Sequence, residues 1–245
     1  MKQLTVITVT FNAERCVEKT LRSVIGQTVY EEQIEYIIVD GASKDDTVEI
    51  VKQFGDKISH IISEPDKGIY DAMNKGIRLA TAPWICFMNA DDTFYDEHTV
   101  EQLHLEDRAK DSILYGSCVF KLQGGRQELR QPIPFWQNPD KCSGIGICHQ
   151  ATITPTAWMK EMPFDTEHYR YCNDYDFMYR CWKMGRRFLD LGQPICLFEW
   201  GTGFSSNPAV SQRIFDENVR IAGCRFGYWY WRHQWRTLKK RLFRC

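Results

Sequence analysis

Three groups of acidic residues each follow a short apolar, β-branched run. Asp40 stands in Val39-Asp40-Gly41-Ala42-Ser43 after the run 34–39, Asp66 and Asp71 come after 58–62, and Asn89-Ala90-Asp91-Asp92 follows 84–88. Any one of them alone reads as a turn or a helix cap. If the three runs are strands of one open sheet, the groups share its carboxyl rim, where such sheets hold their ligands. Adjacent carboxylates repel unless a cation or a hydrogen-bond network absorbs their charge, and hard oxygen donors suit Mg²⁺ or Mn²⁺. An ion bridging Asp92 and phosphate oxygens would neutralise the charge that develops as a nucleoside diphosphate departs. Asp40, on an earlier strand, is placed to accept hydrogen bonds from a base or ribose. Neither G-x-G-x-x-G nor G-x-x-x-x-G-K-[ST] occurs in the chain, which argues against dinucleotide and P-loop chemistry.

The elements that must position these groups are legible in the same stretch. β-branched runs alternate with segments of helical period, the pattern of an α/β fold with a mostly parallel sheet flanked by helices. Residues 4–9 form a strand, and Asn12 is a plausible cap for a helix whose inner stripe is Val17, Leu21, Val24 and Thr28. Residues 34–39 form the next strand, followed by a helix capped by Ser43 or Asp45 with Val48, Val51 and Phe54 inward. A third strand at 58–62 leads to a helix marked by Ile69, Met73, Ile77 and Ala80, and then to a strand at 84–88. Beyond residue 110, 113–120 and 127–131 flank a glycine turn and predict a hairpin over the sheet edge. Residues 174–184 predict a helix closed by Gly185, and 187–198 one or two strands around Pro194.

Composition bounds the rest. The 245 residues, 43% of them hydrophobic, support one large domain or a catalytic core with a small appendage, and exclude disorder. A net charge of -1 argues against nucleic acid as a partner for the chain as a whole. None of the ten cysteines forms a C-x-x-C pair, so they read as reduced, packed thiols in a cytoplasmic protein. The apolar run at 4–9 is too short for a signal sequence, and no run approaches the ~18 residues of a spanning helix. Residues 213–245, however, carry nine basic and two acidic residues. There Tyr228, Trp231, Trp235, Leu238 and Leu242 recur at spacings of three and four beside Arg232, Arg236, Lys240 and Arg244. This is an amphipathic basic helix that either lies on an anionic leaflet or packs on the domain with its basic face solvated.

Taken in order, several segments resemble the family 2 glycosyltransferases of the GT-A fold, most closely the bacterial subgroup that builds colanic acid and similar exopolysaccharides or O-antigens. They are Thr5-Val6-Ile7-Thr8-Val9-Thr10-Phe11-Asn12, Ile38-Val39-Asp40-Gly41-Ala42-Ser43, and the run 63–77 containing Asp66, Lys67, Asp71 and Asn74. Asn89-Ala90-Asp91-Asp92, Cys148-His149-Gln150-Ala151, Asn173-Asp174-Tyr175-Asp176 and Gly203-Phe204-Ser205 continue the match, which spans about 4–206. The resemblance implies a nucleotide-sugar-binding half at 1–110, an acceptor-binding and catalytic-base half at 111–212, and a basic aromatic tail at 213–245.

It further implies that Phe11 packs on the base, that Asp40 contacts it, and that Lys67, Asp71, Asn74 and Asp91 belong to the donor site. Asn74 would steady the metal motif, and Asp91 and Asp92 would bind Mn²⁺ or Mg²⁺. Asn89 stands where many relatives have Asp, and Asn173 where Glu often precedes the base. Asp174 matches the catalytic base, which must reach the acceptor hydroxyl opposite the leaving diphosphate. The first-turn position equally suits a helix cap, and Asp176 is a near rival. His149 is either a packed histidine or a lining of the acceptor pocket, and Trp200-Gly201-Thr202-Gly203-Phe204-Ser205 either a closing flap or a connector. The expected activity is inverting transfer from a UDP-sugar, with GDP second, to a lipid-linked oligosaccharide on the cytoplasmic face of the inner membrane, with the tail on its anionic leaflet. The rival from another class is a non-catalytic sugar-nucleotide-binding or assembly subunit, against which Asp174 argues.

Overall fold

A computed structural model describes residues 1–122, 124–137, 146–201 and 209–223. Gly203-Phe204-Ser205, Ser143-Gly144-Ile145 and the aromatic-basic stripe from Tyr228 to Arg244 lie outside the described residues.

The N-terminal half winds as β1 (Leu4–Thr10), α1 (Val17–Ile25), α2 (Tyr30–Gln33), β2 (Ile34–Asp40), α3 (Thr47–Lys52), β3 (His60–Ser63), α4 (Ile69–Leu79) and β4 (Trp84–Phe87). There follow β5 (Thr93–Phe94), β6 (Ser112–Lys121), β7 (Gln127–Arg130), β8 (Thr152–Pro155), α5 (Thr156–Glu161), α6 (Asn173–Lys183), β9 (Arg187–Glu199) and α7 (Ser211–Ala222). The strands form one sheet in the order β3-β2-β1-β4-β8-β6-β9-β5, with β7 also paired to β6. β1, β2, β3 and β4 run parallel, β8 is antiparallel to both its neighbours, and β6 and β9 are parallel to each other. This is the expected α/β architecture with a mostly parallel sheet.

Alternation along β1 sends Leu4 and Val6 to one face with Val17, Leu21 and Val24 of α1, and Ile7 and Val9 to the other with Met73 and Ile77 of α4. Contact on the second face is close. A Cβ at Gly76 would lie 2.6 Å from Ile7 Cγ2, so only glycine lets α4 settle there.

Three local expectations shift. Helix α1 ends before Gly26, so Thr28 is exposed and the inner stripe is completed by Thr20 instead. Asn12 does not cap it; with φ at 49°, it accepts the Lys44 N–H and holds the loop after β2. The β6–β7 hairpin forms, but β6 lies inside the sheet between β8 and β9. Residues 187–199 make one strand, whose pairing with β6 slips around Pro194. Gly116 makes room for that slip, since a Cβ there would lie 2.4 Å from the Gln193 carbonyl oxygen.

At the opposite end of the sheet from the acidic rim, Glu35 is buried and accepts the Thr5 hydroxyl, the Thr81 N–H at 2.8 Å and hydroxyl at 2.7 Å, and the Ala82 N–H at 3.3 Å. Burial by itself would raise its pKa, but these bonds outweigh it and hold the carboxyl below the usual glutamate value. Glu35→Ala should therefore lose about 2–4 kcal/mol in urea unfolding, because the donors are left unpaired. A group lowered in the folded state contributes stability that is present above about pH 4.3 and lost as pH falls further. That acid loss should be shallower in the variant.

Candidate active site

The ends of β1 to β4 bring the candidate groups to the carboxyl rim. After β1, Phe11 stands 64% exposed. A Cβ at Gly41, beyond β2, would lie 2.5 Å from Asp66 Oδ2 and 3.3 Å from Phe11 Cδ2. The aromatic face, a bare backbone and a carboxylate therefore meet at one place, a surface on which a flat base can stack. Asp40 is different: it is 1% exposed and accepts Thr10 Oγ1 at 3.0 Å, Ser43 N–H at 2.9 Å, Ser63 Oγ at 2.7 Å and the Ser43 hydroxyl. Despite burial, which raises it, its pKa is held low by Ser43, Ser63 and Thr10. Its observed contacts fix the turn beneath Phe11 and Gly41.

Further along the rim, Lys67 is exposed and its N–H donates to Asp71 Oδ2 at 3.0 Å, which shapes the entry to α4. Asn74 sits one turn deeper, and both ends of its amide are engaged by the Phe164 backbone, at 2.9 Å to the carbonyl and 3.0 Å from the N–H. It thus ties α4 to the segment before α6, with both ends of its amide committed there.

That loop splits the two carboxylates. Asp91 adopts φ of 85°, with its N–H donating to Thr20 Oγ1 at 3.0 Å. The side chain faces the rim beside Lys19 Nζ at 2.7 Å, and Lys19 also reaches Glu199 at 3.0 Å. Asp92 turns inward: Oδ2 accepts Gln150 Nε2 at 2.6 Å and Oδ1 the Glu199 N–H at 3.2 Å. Burial, reinforced by the neighbouring Cys148, pushes its pKa up to about 8. In the same loop the Asn89 side-chain oxygen is buried without a hydrogen-bond partner. An orphaned oxygen two residues from a rim carboxylate fits a hard divalent cation, with Asp91 and Asn89 as the available donors. Lys19, Thr20, Gln150 and Glu199 are supports that strand-end counting did not single out.

The candidate base sits in the first turn of α6. Asp174 Oδ1 accepts the Tyr70 hydroxyl at 3.0 Å and the Tyr175 N–H at 2.9 Å, and Oδ2 lies 3.6 Å from His149 Nδ1. Burial would raise this carboxyl, but His149, the Tyr175 N–H and Tyr70 together hold it below the usual aspartate range. His149 packs edge-on against Phe87 at 5.0 Å and near Phe164, and its buried Nε2 has no hydrogen-bond partner. It therefore stands against the carboxylate of Asp174. Asp176, the rival, is paired with Arg180 at 2.8 Å. The approach to α6 is fixed by Glu217 of α7, whose carboxylate takes the N–H groups of Arg170, Tyr171 and Cys172 at 3.0, 2.8 and 2.9 Å. Residues 213–222 of the expected tail are thus part of α7, clamped to the domain.

Known proteins share this architecture. A family model described as glycosyl transferase family 2 matches residues 5–190. A PGL/p-HBAD biosynthesis glycosyltransferase of Mycobacterium tuberculosis is 29% identical over 185 residues, 72% of this chain and 68% of the relative. The amylovoran biosynthesis glycosyltransferase AmsB of Erwinia amylovora is 26% identical over 211 residues, 80% of this chain and 69% of the relative. S. aureus TarS 1–349, solved in complex with UDP-GlcNAc, matches with TM-score 0.70 at 20% identity, over 90% of this chain and 65% of that one. The mannosyltransferase PcManGT of Pyrobaculum calidifontis, solved with GDP-Man and Mn²⁺, gives 0.63 at 18% identity, over 87% and 60%. These two likenesses show a shared GT-A fold, of which the chain spans about two thirds of each neighbour's length or less.

The inward turn of Asp92 has a measurable consequence. A carboxyl raised in the folded state contributes stability that is full below its unfolded pKa and is lost as pH climbs to its folded value. In metal-free buffer Asp92→Asn should accordingly be more stable than wild type at pH 8–9, with the gap closing toward pH 4. Thermal melts across that range check this, and a gap that widens toward acid pH would show Asp92 ionised in the fold.

Proposed function

Because the chain belongs to glycosyl transferase family 2, we propose that it transfers one sugar, with inversion at the anomeric carbon, from a nucleoside diphosphate sugar to a lipid-linked oligosaccharide of bacterial surface polysaccharide assembly. The observation that carries this reading is the Asp174 carboxylate, kept ionised by Tyr70 and His149 and joined through the His149–Gln150 pair to the Asp91–Asp92 loop. An ionised carboxylate facing an acceptor hydroxyl takes its proton as the oxygen attacks, and displacement by a base on the side opposite the leaving group inverts the centre.

On the donor side Phe11 offers its exposed ring to the base, with Gly41 and Asp66 beside it and Asp40 fixing the turn beneath. UDP is the first choice of carrier, because the neighbour with the higher TM-score was solved with UDP-GlcNAc, and GDP the second, because PcManGT was solved with GDP-Man. Lys67 and Asp71 stand at the start of α4, available to the ribose and diphosphate. Asp91 and Asn89 would hold Mn²⁺ or Mg²⁺, which offsets the charge gathering on the departing diphosphate. Asp92 acts through the loop it anchors. The surface-polysaccharide setting follows the name of AmsB. No helix among the described residues is long and apolar enough to cross a membrane. Attachment to an anionic cytoplasmic leaflet is assigned to the stripe of Tyr228, Trp231, Trp235, Leu238 and Leu242.

Two experiments test this. Asp174→Asn keeps the shape and the bond to Tyr70 while removing the proton acceptor, so the fold should persist while kcat falls by ~10²-fold or more. Turnover near wild type would remove Asp174 from the chemistry. Separately, calorimetry with UDP, GDP and their sugars should show one nucleotide preferred in Mn²⁺ and weakened in EDTA or in Asp91→Ala. Equal affinity in all conditions would rule out the metal assignment.

A further inference from the structure

Behind the Asp92 loop, three cysteines from three separate segments converge. Cys118 of β6 and Cys196 of β9 are register partners on adjacent parallel strands, with Sγ atoms 3.1 Å apart. Cys148, in the turn that opens with His149, brings its Sγ to 3.8 Å from Cys196, and all three sulfurs lie within 4.8 Å of one another. Cys118 is 2% exposed and Cys196 fully buried, with Cys148 packed against the same core. No spacing in the sequence announces this cluster, because its members are brought together by the sheet.

A thiol packed as a small hydrophobe needs no second thiol beside it. Three soft donors, two on paired strands and one in the turn before β8, match a soft cation. Tetrahedral Zn–S bonds of about 2.3 Å place neighbouring sulfurs about 3.8 Å apart, a spacing reached from the observed one by small side-chain shifts. Charge favours a divalent over a monovalent ion. Three thiolates around Zn²⁺ leave a single negative charge, and Arg130, the register partner of Cys118 on β7, stands on the strand next to it. Three thiolates around Cu⁺ would leave two. Gln150 Oε1, which accepts from Cys148 Sγ at 3.3 Å, is the oxygen placed to complete the set.

We propose that Cys118, Cys148 and Cys196 form a buried thiolate site for one Zn²⁺-class ion, distinct in chemistry from the hard-cation position at Asp91. On binding, each thiol gives up its proton to solvent, so one M²⁺ and three R–SH yield M(SR)₃⁻ and three H⁺. The ion would brace β6 and β9 against the turn that carries His149 and Gln150, and through them the settings of Asp174 and Asp92.

The test uses the full chain, reduced with a phosphine and stripped of metal, with Cd²⁺ as the optical probe and Zn²⁺ as the stabilising one. One equivalent of Cd²⁺ should saturate an ultraviolet thiolate-to-metal band, and Zn²⁺ should raise the melting temperature. Both effects should vanish in Cys118→Ser, Cys148→Ser and Cys196→Ser and persist in Cys181→Ser, a buried cysteine of α6. Should the serine variants fail to fold, X-ray absorption on the Zn²⁺-loaded wild type decides, with three sulfurs at about 2.3 Å expected. The proposal is overturned by a folded wild type with no saturable band, by a band that survives in the three variants, or by fewer than three sulfurs on the metal. A Cys118–Cys196 disulfide in acid-quenched cells, with no metal bound, would also overturn it and make the pair a redox couple.

Discussion

Two consecutive side chains hold the site together. The amide of Gln150 is committed to Asp92 at 2.6 Å, and the imidazole of His149 to Asp174 at 3.6 Å. Buried polar groups must find partners, and inside a protein each such bond is strengthened by the low dielectric around it. Because the two residues are neighbours, the 89–92 loop and the Asp174 carboxylate are fixed by the same turn. That turn leads straight into β8, the one strand antiparallel to both β4 and β6, so the sheet's change of direction is what brings it to the rim.

The surrounding acids are sorted by what donates to them. Glu35, Asp40 and Glu217 are surrounded by hydroxyls and backbone N–H groups, and each ties together segments far apart in the chain. Asp176 has the guanidinium of Arg180. Asp92 is buried with the Gln150 amide and the Glu199 N–H as donors, and burial, reinforced by Cys148, favours its neutral form where no metal is bound. Asp91 faces the ammonium of Lys19 on the rim, and Asp174 faces groups that stabilise its charge without neutralising it. Carboxylates that read alike in sequence thus divide into clamps, a buried anchor, a lysine-facing group and the candidate base.

The order of strands and helices through residue 88 was legible because apolar period and turn residues act locally, and the acidic rim followed from it. The family motifs located Asp91, Asp174 and the His149–Gln150 pair without showing which groups touch. The shared run sets Asn74 with the metal motif, whereas its amide is spent on Phe164, ninety positions away in sequence. Asp92 reads as a metal ligand beside Asp91, yet Asp91 takes a positive φ and the Asp92 carboxylate turns inward to Gln150 and the Glu199 N–H. The hairpin at β6 was read as an edge because nothing local announces that β9 will pair along its full length. The thiol cluster was hidden for the same reason, its members being contributed by β6, β9 and the turn before β8.

The most direct measurement is the acid limb of kcat/KM against pH for wild type and His149→Phe, since that limb titrates the essential base of the free enzyme. Phenylalanine keeps the ring contacts with Phe87 and Phe164 and removes the imidazole nitrogen that faces Asp174 and helps hold it low, while the burial that raises it stays. The limb should therefore move to higher pH in the variant, with the wild type active down to the ordinary aspartate value of about 3.9 or below. An acid limb at the same pH in both proteins, or one that moves downward, would contradict a base held ionised by His149.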